Sequence, residues 1–440
     1  MARLEVLISG AGIAGNALAF WLSKLGHKVS VIERFPNLRT SGLQVDLRGH
    51  GIEVLKRMGL ESDFRANAVP ELGMQIVDSS GGRRAYFPAK QSGKIGPQSF
   101  TSEFEIMRGD LCRILYDATK KRAKYMFGTS IESFEEKGNA VEVQFTNGET
   151  GRFDILVGAD GLHSRTRNIM LGSDIVDAFH PLDEYTAYFT IPQPPGAGGE
   201  YVATSYIAPG GRFIMTRRHG PNRIQVYLTG KSVTGRLKAV RRGDVGEEKK
   251  AFAEAFRGAG WQADAISESL IGADDFYCES QGLVKLNPWY QGRVVLLGDA
   301  AYCPSASTGM GTSSAIVGAY ILAGEIERHF GAPGCEEEME VSKRGLHGAA
   351  FQAFDDKFRP FINHVQKGVG DRSVFDRIPW SPLTITVLHW VMWLVSILRL
   401  DMLEGLLGDQ PVKGWELPEY ETLRGFAKPD GSCRTGSGER

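Results

Sequence analysis

Cysteine is scarce in this chain: five among 440 residues (Cys112, Cys278, Cys303, Cys335 and Cys433), scattered and with no Cys-x-x-Cys. That argues against a disulfide framework or a thiolate zinc site and fits a reducing compartment, so the expected location is cytoplasmic. A charge excess is missing too. The 51 basic and 52 acidic side chains nearly cancel, which removes the electrostatic basis for a nucleic-acid partner. Long hydrophobic runs are few. The first, Leu4 to Ser9, is too short for a signal peptide. The other, Leu383 to Leu400, has 18 residues and only just reaches bilayer length. It reads as a packed C-terminal helix, with membrane-surface contact or a span as alternatives. No internal repeat occurs. The length allows two or three domains with real cores, and the polar tail from Lys428 reads as frayed.

What is present begins at the N-terminus. Leu4 to Ser9 is an apolar run of branched residues bounded by glycine, the pattern of a buried strand in a parallel sheet. Gly10-Ala11-Gly12-Ile13-Ala14-Gly15 follows at once, then apolar residues at helical spacing from Asn16 to Leu25. A second strand, His27 to Ile32, ends on Glu33. In such a turn Gly10 permits the tight bend, Gly12 lets backbone approach a pyrophosphate, and Gly15 lets the helix pack close to the strand. The helix start offers unpaired N–H groups and positive dipole to phosphate. Glu33 lies 18 residues past Gly15, where a carboxylate accepts both ribose hydroxyls and disfavours a 2′-phosphate. The stretch predicts a site for FAD or NAD rather than NADP.

Further along, Gln44 and Arg48 lie in a polar loop ahead of a helix predicted from Gly51 to Met58; they either reach a cofactor ring or are solvated. Residues 74–77 and 83–87 read as a β-hairpin. It breaks the β-α-β rhythm and so belongs to another sheet. Arg108 stands before a helix predicted from Gly109 or Asp110 to about Ala123, with Asp110 as N-cap. There it can hold a phosphate or ribityl oxygen. Asn147-Gly148 marks a hairpin after Val141–Phe145. Phe153 to Gly158 is a strand that ends at Asp160-Gly161, with Arg167 beyond.

From about Gly172 the character changes. Short strands at 185–191, 201–207, 212–218 and 223–229 are separated by Pro194-Pro195-Gly196, Pro209-Gly210-Gly211 and His219-Gly220-Pro221-Asn222. They read as an antiparallel sheet, interrupted by a charged helix around 247–257. The parallel fold then resumes with Arg293 to Leu297, ending at Gly298-Asp299. Gly309-Met310-Gly311-Thr312 opens a helix over Ala315–Phe330 and forms a second anion or carbonyl cradle. Cys303 has no base near it in sequence and reads as a buried, inert thiol.

Three motifs in this order carry a family resemblance: Gly10-x-Gly12-x-x-Gly15 with Glu33, Asp160-Gly161 with Arg167, and Gly298-Asp299 with Pro304 and Gly309-x-Gly311. Together they resemble the single-component (group A) FAD monooxygenases of the p-hydroxybenzoate hydroxylase fold. Gln44-Val45-Asp46-Leu47-Arg48 and the run Gly309–Tyr320 are most similar to the tetracycline-inactivating and natural-product branch. The chain departs from the pattern at Tyr302, where many members carry His, at Ser313, where many carry Asn, and at Val317-Gly318, where many carry an acidic pair. The resemblance implies an α/β fold. A Rossmann-like FAD-binding domain (GR2 type) takes residues 1–72, 101–171 and 286–365. An interposed antiparallel β-sheet substrate domain takes 73–100 and 172–285, followed by a C-terminal helical segment, 366–427, and a flexible tail, 428–440.

The resemblance also implies roles. FAD is held by the turn of Gly10, Gly12, Ala14 and Gly15, with Glu33 and Arg34 at the adenosine ribose. Arg108 meets the pyrophosphate or ribityl chain, Gly298-Asp299 a ribityl hydroxyl, and Gln44 the ring side. Asp160 serves both FAD and a transient nicotinamide nucleotide. Backbone N–H groups of Gly311 and Thr312 meet the pyrimidine edge of the flavin, which gains negative charge on reduction. No second glycine turn follows a strand, so NADPH or NADH visits without a domain of its own. The implied reaction is hydride transfer to FAD, O2 addition at flavin C4a, and oxygen transfer to an aromatic or polycyclic small molecule. The motifs do not separate ring hydroxylation from epoxidation or Baeyer–Villiger insertion. Arg48, Tyr188, Tyr206, Phe213, Met215 and Arg217 are the substrate-facing candidates, in a monomer or homodimer. A reading from another class is a redox-sensing or ligand-binding flavoprotein with little turnover; the Asp160-Gly161 motif favours catalysis over it.

Overall fold

The computed structural model describes residues 3–39, 42–89, 104–172, 178–192, 200–241, 243–330, 336–370, 379–400 and 414–424, the side chains of 336–346 excepted. The turn at Pro194-Pro195-Gly196 and the tail from Lys428 lie outside them.

The strand Glu5–Ser9 sits centrally in a six-stranded sheet, parallel to Lys28–Glu33 on one side and Ile155–Gly158 on the other. Val294–Leu296 extends the sheet in parallel beyond Ile155–Gly158, and Tyr290–Gln291 closes that edge antiparallel. The opposite edge is Lys124–Phe127, which the sequence did not announce: its residues are half-exposed, and the helix predicted to reach about Ala123 stops at Asp117. That helix begins at Arg108, with Met107 in the capping position. Asp110 is therefore an acid in the first turn rather than the N-cap.

Helix Ile13–Lys24 packs against helix Gly311–Phe330, which in turn packs on helix Glu336–Val365. From Ser313 through Glu327 every side chain of the second helix is buried, and each large apolar group there contributes roughly 1.5–3 kcal/mol. Residues 414–424 lie on this body. Leu417, Tyr420 and Leu423 are buried, and the Tyr420 hydroxyl donates to Glu325 Oε1 at 2.5 Å.

The second sheet has seven strands in the order Tyr277–Val284, Phe179–Pro192, Arg223–Gly230, Arg212–Gly220, Val202–Ala208, Gly73–Val77, Arg83–Pro88. The hairpin at 73–88 does belong to it. One junction departs from the antiparallel expectation: Val202–Ala208 runs parallel to Gly73–Val77. The two strands come from segments far apart in the chain, so no tight turn dictates their relative direction. One face of this sheet is apolar, with Ala187, Phe189, Ile214, Val226 and Leu228 packed under helices Val245–Phe256 and Ala263–Gly272. Period-two alternation puts Thr186, Tyr188, Gln225, Tyr227 and Arg217 on the other face. The C-terminal apolar run forms helix Pro382–Ile397, capped by the Ser381 hydroxyl, which accepts from the Thr384 N–H. No helix among the described residues is long and apolar enough to cross a membrane.

Candidate functional site

The first glycine turn is drawn tight by its neighbours. Gly10 has φ +110°, and a β-carbon on it would lie 2.4 Å from the Ala159 carbonyl oxygen; one on Gly15 would lie 1.9 Å from the Gly10 carbonyl oxygen. Glu33 closes over the turn. Its Oε2 accepts from the Ala11 N–H at 3.0 Å and its Oε1 from the Phe35 N–H at 3.1 Å. Each oxygen keeps a further lone pair for a ribose hydroxyl. Arg34, next in sequence, is exposed and lies over the Phe35 ring.

Gly12 caps the helix without any side-chain hydrogen bond, and the side chain facing it is Arg108, whose Nη2 would stand 3.5 Å from a β-carbon there. Arg108 Nη1 is buried with no hydrogen-bond partner. An unpaired guanidinium nitrogen beside an uncapped helix start suits an anionic group. The donor set therefore fits the pyrophosphate of a flavin dinucleotide. Burial opposes the charge on Arg108, but Cys112, Tyr277, Asp299 and Glu279 outweigh it and hold its pKa above the ordinary value.

Two motif loops meet beside this turn. Asp160 Oδ1 accepts from the Ser164 hydroxyl at 2.5 Å, and its Oδ2 from the N–H and hydroxyl of Thr166, both at 3.0 Å. Its carboxylate thus shapes its own loop. Arg167, buried, donates to the Leu162 and Ala300 carbonyls and so ties the Asp-Gly loop to the Gly-Asp loop. Gly298 has φ +66° and accommodates Ala14, whose β-carbon is 2.9 Å from where a second one would be. Asp299 is half-buried, and burial raises its pKa. Cys303 is buried nearby, burial pushing its thiol well above the usual range. Tyr302 and Gly318, two of the departures from the family pattern, prove to be one fit: a β-carbon at 318 would lie 2.0 Å from the Tyr302 hydroxyl.

The second glycine turn is open. A β-carbon on Gly311 would meet nothing within 4 Å, and one on Gly309 only the Arg48 guanidinium, at 3.8 Å. Gly311 and Thr312 are half-buried at the start of their helix. The Arg48 N–H donates to the Ser313 hydroxyl at 2.8 Å, and its Nε to Asp46 Oδ2 at 2.5 Å. Gly51 stands against Ser313, and a β-carbon on the glycine would lie 3.0 Å from the serine's Cα and Cβ.

Segment 44–48 has its other end on the seven-stranded sheet. The Gln44 N–H donates to Gln225 Oε1 at 2.9 Å and to the Tyr227 hydroxyl at 3.2 Å. The Gln44 side chain is buried and donates to Glu71 and Glu105, while its Oε1 has no partner. Arg217 joins the same cluster, donating to Glu71 at 2.7 and 2.8 Å and also to Glu105. Two carboxylates here face one cation, and burial raises the Glu71 pKa in spite of Arg217. Arg217 and Gln44 are therefore committed to a clasp between sheet and loop, and Arg48 is the long side chain of this segment beside the open turn.

Tyr188 and Tyr206 part company. Tyr188 is buried on the polar face, stacked on Tyr277 at 5.5 Å and edge-on to Tyr227 at 5.1 Å. Burial, then the Glu279 carboxylate, raise its pKa well above the ordinary phenol. Tyr206 has the opposite parity. Its hydroxyl donates to the Ala259 carbonyl at 2.7 Å, under the helices and away from the tyrosine wall. Sequence reasoning missed Tyr227, Tyr277, Glu279 and Arg39, whose guanidinium lies 4.6 Å from the Tyr277 ring centroid. For Tyr227 a signal existed: Ile224, Val226 and Leu228 alternate with Gln225, Tyr227 and Thr229.

Comparison with known proteins adds three findings. The family model described as "FAD binding domain" matches residues 3–331. An FAD-dependent monooxygenase of Sarocladium schorii, asL4, is 48% identical over 432 residues, covering 96% of this chain and 99% of the relative; a flavin-dependent monooxygenase of a Phoma species, eupH, is 44% identical over 375 residues, covering 82% and 85%. Among solved structures, the tetracycline destructase Tet(51) superposes with a TM-score of 0.71 at 28% identity, covering 95% of this chain and all of its own.

Proposed function

The chain belongs to the FAD-dependent monooxygenases, a flavoenzyme near the tetracycline-destructase branch, and from that premise we propose that it uses NAD(P)H and O2 to place one oxygen atom on an aromatic or polycyclic, natural-product-like substrate. The observation that carries this reading is segment 44–48, hydrogen-bonded at its start to Gln225 and Tyr227 on the sheet and at its end to Ser313 beside the open glycine turn. The segment thereby ties the tyrosine-bearing face of the sheet to the helix start.

When bound, FAD supplies the hydride acceptor and the activation of O2. The chain supplies the setting. Gly10, Gly12 and Arg108 would hold the pyrophosphate, and Glu33 the adenosine ribose. The N–H groups of Gly311 and Thr312, at a helix start with room beside Gly311, would stabilise negative charge on the flavin. Tyr188 and Tyr277, both with raised pKa values from burial, stay neutral phenols at physiological pH. They present a dry aromatic wall against which a planar ring system is held. Asp160 and Arg167 fix the loop that would meet the nicotinamide nucleotide.

Stopped-flow absorbance with NADPH and with NADH tests this, with and without a panel of phenolic polyketides and tetracycline. Slow flavin reduction accelerated by one compound, followed by oxygenated product, is the expected result. Failure of both nucleotides to reduce the flavin under every condition would return the chain to the redox-sensing or ligand-binding alternative.

A further inference from the structure

Helix Pro382–Ile397 is apolar on the side away from the substrate sheet as well as on the side against it. It packs on strands Arg83–Pro88 and Val202–Ala208, with Met392 and Val395 against Ile76, Ala85 and Phe87. The side it turns inward mixes Ile385, its one fully buried residue, and half-buried Leu388, Met392 and Val395 with Thr384, His389 and Ser396. The side it turns outward is apolar but for Thr386. Leu383 is 75% exposed, Val387 55%, Trp390 64%, Leu394 48% and Ile397 56%.

With Val391, Trp393 and Leu398 beside that stripe, the face presents on the order of 800 Å² of apolar surface. The largest apolar patch on an ordinary monomer is roughly 300–600 Å², whereas one side of a standard stable interface is about 800 Å². A lipid surface fits the face poorly. Sixteen residues span about 24 Å, short of a roughly 30 Å hydrocarbon core, and a helix lying in the headgroup region needs a charged flank. No Asp, Glu, Lys or Arg occurs from Pro382 to Leu398. Depletion of charge with exposed tryptophan is instead the composition of an interface core between like subunits.

We propose that this face is covered by the same face of a second copy of the chain. Leu383, Val387, Trp390, Leu394 and Ile397 follow one another at spacings of four, three, four and three, the seam of a helix pair. The stripe is nearly symmetric about Trp390. A twofold axis passing beside Trp390 therefore pairs the helices antiparallel, with Leu383 opposite Ile397 of the partner subunit. Such an isologous contact closes on itself and stops at the dimer.

Sedimentation velocity of the FAD-loaded full chain tests the proposal. At micromolar concentration the expected mass is twice 48.2 kDa. The double variant Trp390→Glu, Leu394→Glu is expected to run at half that mass with its bound flavin intact, since both side chains point away from the fold. Should that variant fail to fold, cysteine pairing keeps the test alive. In a Cys335→Ser, Cys433→Ser background, Trp390→Cys is expected to cross-link to itself on mild oxidation. Leu383→Cys is expected to cross-link only when mixed with Ile397→Cys. A single-chain mass for the wild type overturns the proposal. If that single chain floats with phosphatidylcholine vesicles, lipid covers the face; if it does not, another part of its own chain does. A dimer that survives the double glutamate substitution overturns it as well, by placing the interface elsewhere.

Discussion

The glycine turn before helix Ile13–Lys24 and the one at the start of helix Gly311–Phe330 differ in their surroundings. At the first, a methyl on Gly10 or Gly15 would run into backbone at 2.4 and 1.9 Å; at the second, a methyl on Gly311 would touch nothing within 4 Å. Glycine at the first turn serves the protein's own packing, joining strand, helix and the Ala159 backbone. At the second it leaves room that no protein atom fills. The same residue type therefore answers two questions, and only the neighbours say which one is being asked.

Substitution at the tight turn gives the largest effect. Gly15→Ala forces a carbon onto the Gly10 carbonyl, and overpacking at such a site costs about 3 kcal/mol. The expected outcome is a lower urea midpoint and loss of bound flavin. A flavin-loaded protein with the wild-type midpoint would show that the turn has slack and that the contrast is false.

A pH titration probes the same region with little less force. His27, at the start of the second strand, accepts from the Leu4 N–H through Nδ1 at 3.3 Å. Burial, then Arg3, lower its pKa from 6.5 to about 4. Neutral imidazole is thus the folded form, and the unfolded chain takes up the proton first as pH falls. Stability is full above pH 6.5, declines from there to about pH 4 and levels off below, a loss of roughly 3 kcal/mol. Urea midpoints measured from pH 7 to pH 4 should follow that curve, and His27→Gln should flatten it. Identical slopes in the two proteins would mean that the imidazole is not sealed in.

The open turn should respond least in stability and most in the cofactor. Gly311→Ala places a good helix former in uncrowded space, so stability should stay within about 1 kcal/mol of wild type or rise. The absorbance maxima of bound flavin and its rate of reduction should both shift. If neither moves, the room at Gly311 is not the cofactor's.

The glycine turns, the Asp-Gly and Gly-Asp strand ends and the switch to a second sheet were legible because each is a local demand on local residues. A tight bend needs Gly10 wherever the rest of the chain goes, and alternation in Arg223–Gly230 is written into that strand alone. The clasp was illegible for the opposite reason. Arg217 finds Glu71 and Glu105 across separations of 146 and 112 residues, and nothing near any of the three announces the others. Arg217 accordingly read as a substrate contact. Tyr206 misled more simply: an aromatic residue suits either face of a strand, and its type does not say which way it points. The parallel pairing of Val202–Ala208 with Gly73–Val77 likewise depends on where two distant segments come to rest.

The fit of Tyr302 over Gly318 also makes two positions of the chain answer to one another. With tyrosine at 302, a β-carbon at 318 would lie 2.0 Å from its hydroxyl. The ring has no room to retreat, standing 4.7 Å from Trp289 and 5.3 Å from Phe358. With a smaller residue at 302, glycine at 318 would instead leave a void that costs about 1–3 kcal/mol. Neither residue can change alone without a penalty, so the two act as one unit of sequence.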